Sequence, residues 1–262
     1  ALAEVVSKEN ILVISDEIYD KLVYVSFKTV SFASLGEDIK KKTILINGMS
    51  KAYSMTGWRI GYTAGPAPVI AAMGRIQSHT TSNPASISQK ASVEALAGPQ
   101  FEVSKMVAEF QRRRNYCHMK LSAMPRVSCF KSQGAFYLFP NLSAYYGMEF
   151  NGTPIRNSYG MAYYLLKEGR VAIVPGDAFG ADDHIRISYA TSMEKLEKAM
   201  ERIGEALTKL KPAREAKKIA FQNAVTRVKK SVPVEPAVSE AVRDGLVAEA
   251  QAPLAAGPFY EW

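Results

Sequence analysis

Short apolar runs that stop at polar residues recur through the first hundred positions, with helical stretches between them. Ile11-Leu12-Val13-Ile14 gives way to Ser15-Asp16, Ile44-Leu45-Ile46 to Asn47-Gly48, and a further run spans Ile60 to Ala64. Continuous rather than alternating apolar runs are what strands covered on both faces require, so residues 1 to 95 predict an α/β lobe with a largely parallel sheet. Ala1 to Val6 predicts a helix that leads into it. From Phe101 to Met124 the positions Val103, Met106, Val107, Phe110, Cys117, Leu121 and Met124 recur at helical spacing, so residues 96 to 124 predict one long connecting helix. The run Arg112-Arg113-Arg114 interrupts that pattern and reads as a solvated or interface-facing turn rather than a nucleic-acid patch. Residues 125 to 208 then read as a smaller α+β lobe. Its strands are expected at Val127 to Cys129, Ala135 to Phe139, Val171 to Val174 and His184 to Tyr189, and its helices at Tyr159 to Lys167 and Met193 to Leu207.

Candidate chemistry gathers where the apolar runs stop. Gly48 lets the chain leave its strand and bring Ser50 and Lys51 to the carboxyl end of the sheet, the end at which open α/β sheets bind ligands. A lysine in a pocket with a hydroxyl and Arg59 has the groups needed to form an imine with an aldehyde cofactor that carries a phosphate. Asp16 and Tyr19, at the end of the preceding strand, are expected on the same rim. A carboxylate there would keep a pyridine nitrogen protonated, and a phenol would tune the imine. Arg186 alternates with Ile185 and Ile187, so its guanidinium takes the opposite face from both isoleucines and could grip a carboxylate at two points. Phe136 is expected near the substrate. Each residue also has a plainer reading: a solvated loop lysine, an aspartate capping a helix, a half-buried tyrosine, an exposed strand arginine and a packed phenylalanine.

Composition narrows the class further. The 262 residues hold 33 Lys/Arg against 25 Asp/Glu, for a net charge of +8. The excess sits late in the chain, because residues 209 to 230 carry eight basic residues against one acidic and residues 231 to 262 carry one against five. The first segment reads as a basic helix and the second as a disordered tail. Neither has the aromatic or large apolar content of a nucleic-acid or membrane surface, so neither partner is expected. His79, His118 and His184 are scattered without metal-ligand spacing, and no dinucleotide fingerprint is present. Two cysteines, Cys117 on a helix and Cys129 on a strand, with no signal peptide and no long apolar span, point to a reducing cytoplasmic setting.

Several segments together resemble the fold-type I, class I pyridoxal-phosphate aminotransferases, and most closely the bacterial aspartate aminotransferase branch. They are Ser15-Asp16-Glu17-Ile18-Tyr19, Ser50-Lys51-Ala52-Tyr53 through Gly57-Trp58-Arg59-Ile60-Gly61, Ser82-Asn83-Pro84, Gly134-Ala135-Phe136-Tyr137, and Val174-Pro175-Gly176-Asp177-Ala178-Phe179-Gly180 followed by Ile185-Arg186-Ile187-Ser188. The resemblance spans about residues 1 to 208. It implies that Lys51 is the Schiff-base lysine and general acid/base and that Asp16 pairs with the pyridinium. It also implies that Tyr19 bonds the ring oxygen, that Ser50 and Arg59 hold the phosphate of pyridoxal 5'-phosphate, and that Arg186 clamps the substrate carboxylate. The implied activity is amino-group transfer in amino-acid biosynthesis, with aspartate and 2-oxoglutarate as the expected pair, by a homodimer to which the Ser82-Asn83-Pro84 loop contributes.

The same resemblance implies that the chain is the carboxyl-terminal part of a longer protein. The family's phosphate-binding glycine/serine turn, its stacking ring and an asparagine on the ring oxygen all precede the matching region. An exposed sheet edge and an open apolar face are therefore expected. Two alternatives stay open: a transcriptional regulator that carries an aminotransferase-like ligand sensor, and a lyase or racemase using the same cofactor.

Overall fold

Helix α1 (Leu2–Lys8) leads into strand β1 (Val13–Asp16), and a second short helix, α2 (Glu37–Lys42), leads into β2 (Thr43–Gly48). The computed structural model describes residues 1–24 and 27–212. The two helices are tied by Lys42, whose Nζ donates to the carbonyls of Val6, Ser7 and Glu9 at 2.9, 3.3 and 2.5 Å. A cation on the open carbonyls at a helix C-terminus is the favourable placement for the helix dipole. β1 pairs with β2 in parallel, and β3 (Gly61–Ala64) returns antiparallel on the other side of β2. The largely parallel sheet expected from the sequence is thus, among the described residues, one parallel and one antiparallel pairing. A continuous apolar run does not by itself specify strand direction.

Beyond β3 come α3 (Ala67–Thr80) and α4 (Ser86–Ala97), joined by the turn at Ser82, which has a positive φ of 61°. Their packing is inverted. No residue of α3 is buried, and the buried residues of α4 are Ser88 and Ser92, while Ile76, Ile87 and Val93 face outward. Ile14 on β1 is 68% exposed. The open apolar face expected from the sequence is present.

Helix α5 (Phe101–Ser122) runs unbroken through the arginine triplet. The expected solvated or interface-facing turn holds for Arg112, whose side chain is 60% exposed, and fails at Arg114, which is only 2% exposed. Its guanidinium donates to the Ser132 carbonyl at 2.7 Å and to Asn115 Oδ1 at 2.9 and 3.2 Å, so neutral acceptors satisfy it in place of water. Arg112 and Arg113 instead bond Glu109 one turn back.

The remaining elements are β4 (Tyr137–Leu138), β5 (Met148–Phe150), β6 (Thr153–Pro154), α6 (Ser158–Lys167), β7 (Val174–Pro175), β8 (Ile185–Ser188), α7 (Met193–Lys209) and β9 (Lys211–Pro212). β8 lies between β4 and β7, antiparallel to both, and β5 lies between β6 and β9. Two expected strands are corrected. Val127 to Cys129 is a single bridge from Ser128 to Asn141, so Cys129 is not on a strand, and the Val171 to Val174 run forms a strand only from Val174. The sequence pattern there is apolar because Val171 packs in the core, not because it joins a ladder. α7 buries Leu196, Met200, Ile203 and Leu207, spaced four, three and four apart. Each contributes about 2 kcal/mol of apolar burial. Helical structure ends at Lys209, and Lys211–Pro212 pair with Met148–Glu149, so the expected basic helix does not begin at residue 209. The rest of that expected helix and the tail, residues 213–262, lie outside the described residues. Residues Ala1–Pro212 make one compact unit.

Candidate functional site

The end of β2 sets the site. Gly48 faces Gly61 across the β2–β3 pair, and a Cβ on Gly48 would stand 3.0 Å from the Gly61 Cα and 3.1 Å from the Ile60 carbonyl. Glycine at both positions lets the two backbones approach, and Met49 N then donates to the Ile60 carbonyl at 3.3 Å. Ser50 follows one side of that bond and Arg59 precedes the other, so the two sequence-predicted phosphate ligands leave the same point of the sheet. The side chain of Arg59 is exposed and bonds its own loop, Nη1 to the Thr56 carbonyl at 2.9 Å, on a backbone with φ of 51°.

Lys51 projects into a group of aromatic rings. Its Nζ lies 5.4 Å from the Phe136 ring centre and 5.9 Å from that of Tyr19. The rings hold one another at right angles or tilted: Tyr19 to Phe136 at 5.5 Å, Tyr19 to Tyr137 at 6.2 Å and Phe136 to Tyr137 at 4.7 Å. The Tyr19 hydroxyl donates to that of Tyr137 at 3.3 Å. Burial, chiefly, and then that bond raise the Tyr19 phenol far above its ordinary value, while Arg186 pulls it back and Asp16 adds to the rise. Tyr19 is therefore a neutral donor at physiological pH.

Arg186 completes the group from β8. The burial pattern of that strand places Ile185 and Ile187 in the core and leaves the arginine on the other face, as the alternation predicts. Its guanidinium carbon sits 4.5 Å from the Tyr137 ring and 4.5 Å from the Phe179 ring, between them. A guanidinium held over ring faces carries a planar fork of N–H groups suited to a carboxylate. Phe179 is delivered by the Gly176–Phe179 turn, where a Cβ on Gly176 would meet the carbonyls of Ala181 and His184 at 2.2 and 2.3 Å. The fully buried Ser158 braces the same turn. Its Oγ donates to Asp182 Oδ1 at 2.6 Å and accepts from Asp177 N at 3.1 Å.

Of the sequence-predicted residues, the structure brings Lys51, Tyr19, Phe136 and Arg186 into one cluster. Asp16 stands at the end of β1, exposed, with Oδ1 accepting from Ile18 N at 3.1 Å. The turn-capping that its plainer reading foresaw is therefore present alongside its nearness to Tyr19. Sequence reasoning assigned nothing to Tyr137 or Phe179, although both lie in the segments that carry the resemblance. The alternation around Arg186 was the usable signal, since whatever ring touches its exposed face must come from a neighbouring strand or turn. Among the described residues no group of acidic, histidine or cysteine side chains is placed to hold a metal ion, and no helix is long and apolar enough to cross a membrane.

Comparison with known proteins gives a consistent picture. The family profile for aminotransferase class I and II matches residues 1–203. Aspartate aminotransferase of Geobacillus stearothermophilus is 49% identical over 203 residues, covering 78% of this chain and 51% of its own length. Aspartate aminotransferase of Pinus pinaster is 47% identical over 222 residues, covering 83% of this chain and 45% of its own. The crystal structure of the aspartate aminotransferase from Rhizobium meliloti superposes with a TM-score of 0.78 at 42% identity, covering 80% of this chain and 53% of that one. The chain spans about half the length of the curated relatives it matches.

Proposed function

This chain belongs to the aminotransferase class I and II family, and from that premise we propose that the whole protein is a pyridoxal-phosphate-dependent aminotransferase. It moves the amino group of an L-amino acid, aspartate in the first instance, to 2-oxoglutarate. The named relatives support aspartate as donor. Residues 1–95 belong to the cofactor-binding lobe, 96–124 to a connecting helix and 125–208 to the smaller lobe of a cytoplasmic homodimer.

The observation that carries the reading is the cluster in which the Lys51 amine and the Arg186 guanidinium meet one set of rings drawn from distant parts of the sequence. The donor set fits the cofactor. An amine and a neutral phenol converge, with an acidic residue at the strand end on the phenol's side. When bound, pyridoxal phosphate supplies an electrophilic carbon for an amine and a ring that draws electrons from the substrate's Cα. Lys51 would hold it, and once the substrate's amino group displaced the lysine the freed amine would take the proton from Cα. Asp16 would hold the proton of the ring nitrogen, Tyr19 would donate to the ring oxygen, and Ser50 and Arg59 would hold the phosphate. Arg186 fixes the α-carboxylate at two points, which turns the Cα–H toward Lys51. Phe136, whose ring meets that of Tyr19 edge-on at 5.5 Å, packs beside the substrate.

The test uses the full-length protein loaded with pyridoxal phosphate. Aspartate and 2-oxoglutarate should give oxaloacetate and glutamate, with the nitrogen of labelled aspartate recovered in glutamate. Release of that nitrogen as ammonia would assign the lyase alternative instead. Ligand binding without any turnover would favour the sensor of a regulator.

A further inference from the structure

Beneath the aromatic cluster lies a second, buried polar group that the reaction does not use. Tyr24 and Tyr189 are 1% and 0% exposed, and Arg114, on α5, stacks its guanidinium 4.5 Å above the Tyr24 ring. Among the described residues this buried cation has no carboxylate partner. Its acceptors are the Ser132 carbonyl and the Asn115 side chain. A buried cation without a carboxylate partner is expensive to desolvate.

What the group holds is one carbonyl. The Tyr24 hydroxyl donates to the Ala135 carbonyl, and the single proton of the Tyr189 hydroxyl is shared between that carbonyl at 3.1 Å and the Tyr24 oxygen at 3.2 Å. Ala135 has a positive φ of 56°, a conformation that L residues other than glycine adopt only when their surroundings impose it. Its N–H donates to the Leu22 carbonyl at 2.8 Å, and Tyr189 N donates to the Phe136 carbonyl at 2.9 Å. The next two side chains in the sequence, Phe136 and Tyr137, are those that face Lys51 and Arg186.

We propose that Arg114, Tyr24 and Tyr189 are positioning residues, which lock the left-handed turn at Ala135 and thereby set Phe136 against the lysine and Tyr137 against the substrate-binding arginine. The proposal deepens the aminotransferase reading and rests on it. Arg114 comes from the connecting helix, Tyr24 from the segment after β1 and Tyr189 from the end of β8. The network therefore ties the two groups of residues that supply the amine and the guanidinium.

Two variants of the full-length protein test this. Tyr24→Phe removes one hydroxyl and keeps the ring under Arg114, so it preserves the packing. Arg114→Lys keeps the charge but loses the flat stack and the two-point bond to Asn115. Both should raise KM for the amino acid by about five-fold or more while lowering kcat less, because carboxylate binding depends on the Tyr137–Arg186 stack. A KM within about two-fold of wild type in both variants overturns the proposal, whatever happens to stability. A second readout needs no turnover. The rate at which Lys51 is trapped by pyridoxal phosphate and borohydride, mapped on peptides, should fall in both variants while trapping at surface lysines stays constant. If the wild-type protein shows no transamination the functional reading fails, and this trapping rate alone then decides the positioning role: unchanged trapping at Lys51 overturns it.

Discussion

Lys51 Nζ stands 5.4 Å from the centre of the Phe136 ring, a contact between residues far apart in the sequence. It joins the turn after β2 to the turn before β4, and so fixes where the amine can reach. An amine against a ring face, partly withdrawn from water, is held in one place without being tied up in an ion pair.

Lys51→Ala in the full-length protein should therefore abolish both covalent attachment of pyridoxal phosphate and proton transfer from Cα. The expected result is loss of the visible absorbance of the bound cofactor and a fall in kcat of about 10⁴-fold or more. Wild-type absorbance with wild-type turnover would remove Lys51 from the chemistry.

Arg186→Lys tests the guanidinium stack between Tyr137 and Phe179. An ammonium offers a point charge instead of a planar fork, and it stacks poorly on two rings. KM for the amino acid should rise and kcat should drop, for a combined loss of about 2–4 kcal/mol in kcat/KM. Steady-state kinetics that leave both constants unchanged would move the carboxylate site elsewhere.

Gly176→Ala probes the turn that carries Phe179. The added Cβ would sit 2.2 Å from the Ala181 carbonyl and 2.3 Å from the His184 carbonyl, both backbone atoms that cannot swing away. The backbone must shift, at a cost of about 3 kcal/mol or more, and Phe179 shifts with it. Urea unfolding measures the loss, and a change below about 0.5 kcal/mol would mean that the turn is far looser than this geometry allows.

Glu109 gives an acid-dependent signature. Hydrogen bonds from Arg112, the larger cause, and from Arg113 lower its carboxyl from the ordinary 4.5 to about 2. The native state then binds fewer protons than the unfolded chain, so the stabilisation is complete above pH 4.5 and is lost as the pH falls toward about 2. Because the Glu109 side chain is 35% exposed, solvent screening keeps the effect to about 1 kcal/mol or less. Melting temperatures of wild type and Glu109→Gln should differ at neutral pH and converge in acid. A gap that widens on acidification would contradict the assigned partners.

How much of this was legible beforehand depends on the range of the interaction. The runs ending at Asp16 and Asn47 marked β1 and β2, and the alternation around Arg186 assigned its face correctly, because a strand's pleat fixes which side each residue takes relative to its own neighbours. The spacing from Phe101 to Met124 likewise marked α5, whose apolar stripe is set by 3.6 residues per turn. Charge was a poorer guide. Arg112, Arg113 and Arg114 look alike in the sequence, yet the first two bond Glu109 near the surface and the third is buried against Tyr24.

The sequence by itself determined the local elements, the glycine-permitted turn at Gly48 and the chemical types present at Asp16, Tyr19, Lys51 and Arg186. Only the tertiary structure decided that Tyr137 and Phe179 enclose Arg186, that β3 runs antiparallel, and that Tyr24 and Tyr189 meet on the Ala135 carbonyl. Backbone periodicity is a property of consecutive residues. Those contacts join segments more than a hundred positions apart in some cases, and they form because close packing of the core and the need to satisfy buried donors select one arrangement of elements that the local pattern leaves open.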